Sequence, residues 1–86
     1  MSPYIAQKLR PKYNQALDQI ADIPTKGELE YCIYKLMMKY MKDKEKRYAN
    51  WHDTVYSAYH CGSEAKRRYL DKREDKAIEE NGDITE

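Results

Sequence analysis

His52, His60, Cys61 and Glu64 are the side chains whose types could hold a metal ion or arm a nucleophile, so their spacing decides what chemistry is open. On one helix His52 and His60 stand eight apart, about 80° out of line at 100° per residue. A helical zinc pair stands four apart, and the position four beyond His52 is Tyr56. Cys61 points away from the edge shared by His60 and Glu64. A Cys–His nucleophile would also need an oxyanion environment, and no local motif announces one. Gly27, Gly62 and Gly82 are scattered, so they make no phosphate-cradling loop. These spacings predict a non-enzymatic protein without metal or cofactor.

A second group is basic: Lys66, Arg67, Arg68, Lys72, Arg73 and Lys76. It reads either as a solvated helix face balanced by Glu64, Asp71, Glu74 and Asp75, or as an anion-binding face. In the second case the arginines would fork onto phosphate or carboxylate. For Arg67 and Arg68 the nearest acidic candidates are Glu64, Asp75 and Asp83. Residues 35–47 carry another basic run.

These residues depend on helices for their placement. Pro3-Tyr4-Ile5 reads as an extended arm, and from Pro11 the apolar residues Tyr13, Leu17 and Ile20 recur at helical spacing. Thr25 and Glu28 form a capping box that opens a second helix over about residues 26–43. That helix carries Leu29, Ile33, Leu36 and Tyr40 on one stripe, with Cys32 and Met37 beside it. Asn50 is placed to cap a third helix. Along it Trp51, Val55, Ala58, Gly62, Ala65 and Tyr69 make a heptad-like seam with a small-residue centre, where another helix could approach closely. The charged stretch to Glu80 can extend this helix, supported by pairs such as Glu64–Arg68 and Lys76–Glu80. Asn81-Gly82 then ends it.

Composition sets the scale. The 86 residues make one small domain, and a chain of this size buries only about 60–65% of its unfolded surface. There is no Phe, and nine Tyr with one Trp supply much of the apolar area that sparse aliphatics leave missing. A tyrosine ring is large but its hydroxyl wants a partner or water. The balance therefore points to half-buried interfaces and to self-association into a homo-oligomer. Sixteen basic against fifteen acidic residues, with a pI near 7.7, disfavour a dedicated nucleic-acid binder. Cys32 and Cys61, with no signal peptide or membrane-spanning stretch, read as two reduced thiols in a cytoplasmic protein.

Several stretches taken in order carry a resemblance: Pro3 to Ile5, Gly27 to Ile33, Tyr48 to Asn50, Glu64, Arg67-Arg68, and Glu74 to Ile84. Together they resemble a family of small uncharacterised proteins of tailed phages and prophages, and the ending EDKxIxENGD is the specific part. The resemblance implies origin and fold more than mechanism, with host cytoplasm as the location. Where the family tends to carry Pro-Tyr before Glu-Asp, this chain has Lys72-Arg73, which leaves open whether the third helix is continuous or split.

The resulting expectation is an all-α domain over residues 1–86, with three helices, the third continuous or split, and ordered arms at both ends. Ile78 and Ile84 are expected to dock the last turn and tail onto a body, of the same chain or a neighbouring copy. The leading functional reading is a phage accessory protein that binds and neutralises a host protein. The alternatives are an oligomer that sequesters a phosphorylated or nucleotide ligand and, behind it, a nucleic-acid-binding regulator. The candidate binding residues are Tyr48, Asn50, Glu64, Arg67, Arg68, Asp75, Asn81 and Asp83.

Overall fold

Helix ends in this protein follow local signals, beginning with Pro3. The computed structural model describes residues 3–84, all of whose regular structure is helical. An arm through Ala6 leads into a 3-10 turn, Gln7–Leu9, and then α1, Arg10–Asp18, with Pro11 in its first turn. There the missing N–H of proline has no helical partner to lose. The Arg10 Nε donates to the Ile5 carbonyl at 3.0 Å and ties the arm to the helix start.

Helix α2, Lys26–Met41, opens on Thr25, whose hydroxyl accepts the Glu28 N–H at 3.2 Å. The Glu28 carboxylate in turn accepts that hydroxyl proton at 2.7 Å, rather than reaching the Thr25 amide as a full capping box does. Residues 42–47 turn the chain. The Met41 carbonyl accepts both the Lys44 N–H (3.0 Å) and the Lys46 ammonium (2.8 Å) there.

Helix α3, Tyr48–Ala65, begins three residues earlier than a cap at Asn50 predicts. Arg47, extended at φ −98° and ψ 158°, is its cap residue and offers no side-chain bond. Asn50 lies inside the first turn. Its amide donates back to the Glu45 carbonyl at 2.9 Å, so it closes the loop instead of capping the helix.

The third helical segment is neither uniform nor broken. A π-helical turn, Lys66–Leu70, joins α3 to α4, Asp71–Asn81. The Asp71 N–H donates to the Lys66 carbonyl five residues back, and both flanking residues stay in the right-handed helical region. One turn is thereby widened while the chain keeps helical conformation, as π-bulges do. Gly82, at φ 86°, ends α4 and bonds the Ile78 carbonyl at 2.8 Å.

Among the described elements α2 packs on α3, whereas α1 lies only against its 3-10 turn and α4 only against the π turn. Two side chains among the described residues are fully buried, Met41 (1% exposed) and Thr54 (2%), both toward the loop end of the α2–α3 hairpin. The Thr54 hydroxyl donates to the Asn50 carbonyl at 2.7 Å, so burying it leaves no open hydrogen bond. The radius of gyration is 17.0 Å, against about 12 Å for a compact chain of this length.

The expected docking of the tail is not found within the chain. Ile78 is substantially exposed and Ile84 is 94% exposed. The Asp83 carboxylate accepts the Ile84 N–H at 2.7 Å, a local turn that satisfies the backbone without a body to dock on. The close helix approach expected at Gly62 is also missing from the single chain, since a Cβ placed there would meet nothing within 4 Å.

Candidate functional site

The π turn gathers three separate parts of the sequence. Glu64, at the end of α3 and only 18% exposed, accepts a hydrogen bond from the Arg67 guanidinium at 2.5 Å. The Arg68 guanidinium donates to the Tyr4 hydroxyl at 3.1 Å, across 64 residues of sequence. The Arg67 hydrogen bond holds the Glu64 carboxyl below its ordinary range; partial desolvation opposes this, and the Arg67 charge, the Tyr4 hydroxyl and the Arg68 charge add to it. Arg67 is correspondingly pushed up, chiefly by its hydrogen bond to Glu64. The expected acidic partner of the arginines is therefore Glu64, but it meets Arg67 rather than Arg68. Beside this cluster Lys66 pairs with Asp71 at 2.7 Å, and its ammonium is held above the usual value mainly by that hydrogen bond.

A second surface runs along α3. Tyr48, His52 and Tyr56 form a ladder, with ring centroids 5.8 Å and then 4.3 Å apart, the second pair stacked. Tyr59 (5.4 Å) and His60 (6.4 Å) extend it from Tyr56. The ladder residues are solvent-exposed, Tyr48 to 83%.

On the opposite side of α3, at 100° per residue, lies an open apolar groove shared with α2. Leu29, Ile33 and Leu36 line it from α2, and Ala58, Cys61 and Gly62 from α3, with a volume of about 540 Å³. A second groove beside α4 takes its lining from Lys66 and Arg73, together with Leu70 and Tyr69.

Residues 1–84 match the family described as a domain of unknown function, DUF6899. The chain belongs to the DUF6899 family. No curated protein and no solved structure matches it.

In this DUF6899 chain the candidate binding residues divide into groups. Glu64, Arg67 and Arg68 come together at the π turn, joined by Tyr4, which spacing alone did not nominate. Tyr48 heads the aromatic ladder. Asn50 holds the loop. Asp75 lies exposed on α4, Asn81 is its last residue, and the Asp83 carboxylate accepts its neighbour's amide. His52 and His60, weighed above as metal ligands, are members of the ladder; among the described residues no three His, Cys, Asp or Glu side chains gather as a metal site. Cys32 is half-buried and Cys61 exposed, both as free thiols. The ladder carries a sequence signal that metal geometry passes over: Tyr48, His52, Tyr56 and His60 recur every four residues.

Proposed function

We propose that this DUF6899 protein is a non-enzymatic binding protein of phage origin that engages and neutralises a host protein. The observation that carries this reading is the exposed aromatic ladder of α3. Tyrosine is enriched among the residues that dominate protein–protein binding energy, because it offers a large rigid contact surface with a polar tip. Stacking on His52 restrains Tyr56 before any partner arrives, which lowers the entropy lost on binding. The arginine turn next to it on the chain adds guanidinium groups for an acidic rim.

The alternative, sequestration of a phosphorylated ligand, draws support from Arg68. Its hydrogen bond goes to a neutral hydroxyl, that of Tyr4, and its guanidinium lies 5.7 Å from the centroid of the Tyr69 ring. The paired carboxylate of Glu64 belongs to Arg67, so an anion could bond Arg68 directly.

The two readings separate in one experiment. Native mass spectrometry of protein recovered from host cells is run for the wild type and for a Tyr48→Ala/Tyr56→Ala variant. The protein-binding reading expects one stoichiometric host protein, lost in the double variant without a change in melting. A retained small anion that survives the double variant and disappears in Arg68→Ala would favour sequestration. Identical retention by wild type and both variants would refute both assignments.

A further inference from the structure

We infer that the α2–α3 groove is covered by a second copy of this chain, on the side of α3 opposite the aromatic ladder. Area is the first support. The chain exposes 8216 Å², whereas a compact protein of 10.3 kDa exposes about 5,400 Å². The excess is about 2,800 Å² per chain, and removing it from two copies falls at the upper end of obligate homodimer interfaces. The excess is not confined to one patch: Leu17 on α1, Leu36 on α2, Val55 on α3 and Ile78 on α4 are all left about half-covered. With two side chains fully buried among the described residues, the chain has little core of its own, so its cover belongs to the folded state rather than to an occasional encounter. A second copy is the one partner made wherever the chain is made.

Charge supports the same occupant. Residues 35–47, at the end of α2 and its turn, carry six basic against two acidic side chains. Residues 71–81, which form α4, carry five acidic against three basic. One copy's acidic helix therefore complements another's basic turn, and complementary potentials favour that encounter. The open space beside Gly62 gives a neighbouring backbone room to approach.

Sedimentation and thiol labelling test this on the intact protein. Wild type is expected at no less than twice 10.3 kDa, with a Tm that rises with protein concentration. Cys61 lines the groove and is exposed in the single chain. A charged thiol reagent, read residue by residue by mass, should therefore modify it slowly in the assembly and rapidly after dilution to monomer. A Cβ at Gly62 meets nothing within 4 Å in the chain and Gly62→Leu improves helix propensity, yet it should weaken association by about ten-fold or more through overpacking. A monomer at all concentrations overturns the inference, whether it melts cooperatively or is unfolded alone. So does an assembly in which Cys61 reacts at the free-thiol rate, or one in which Gly62→Leu associates as wild type does.

Discussion

Replacing Met41 by alanine tests whether the α2–α3 hairpin is knit together at its loop end. Met41 is 1% exposed, so the change removes its γ, δ and ε atoms from a fully covered site. Large-to-small changes of this kind cost about 2–5 kcal/mol, with the lower end where surroundings can collapse. Half-covered neighbours on both helices give this site that freedom, which sets the expected loss at about 2–3 kcal/mol. For a domain of this size each kcal/mol moves Tm by about 4–8 °C, so the melt followed by circular dichroism should shift down by about 10–20 °C. Met41→Leu, nearly volume-conserving, should cost less than about 1.5 kcal/mol. Its recovery of most of the loss would show that packing, not the backbone carbonyl used by Lys44 and Lys46, is responsible. A loss below about 0.5 kcal/mol for Met41→Ala, the level of an ordinary surface change, would refute the placement of the core.

Other outcomes follow from the local geometry. Thr25→Ala removes the hydroxyl that accepts the Glu28 amide and should cost about 0.5–2 kcal/mol in denaturant titration. Ile84→Ala should leave Tm within the scatter of surface substitutions, because Ile84 is 94% exposed; a clear loss would mean that a neighbouring copy docks the tail. The folded-state pKa of Glu64 lies below its ordinary 4.5, so its contribution to stability is present above that pH and lost as pH falls through the folded value. Glu64→Gln should therefore be less stable than wild type at neutral pH and converge with it in acid; curves that stay parallel would show that the Arg67 pair does not couple to folding.

Local chemistry made much of this protein legible from its residues. The all-α class, the helix start at Thr25, Pro11 in a first turn and the stop at Asn81-Gly82 all depend on groups within four residues of one another, and sequence displays such groups directly. The ladder of Tyr48, His52 and Tyr56 is equally local, since i,i+4 neighbours on a helix must meet. Contacts between distant segments needed the fold. Tyr4 reaches Arg68 only because the arm and the π turn meet in space. Asn50 bonds the Glu45 carbonyl because the loop, not the helix, needed closing. The partner of Glu64 is Arg67 rather than Arg68, which instead meets the distant Tyr4, and neither outcome is set by spacing alone. Sequence placed small residues at Ala58, Gly62 and Ala65, but whether anything fills the space beside them depends on where α2 lies. In the single chain that space is open. Periodicity fixes which face of a helix is apolar; only tertiary packing decides whether that face is covered, because coverage depends on relative positions that no local spacing encodes.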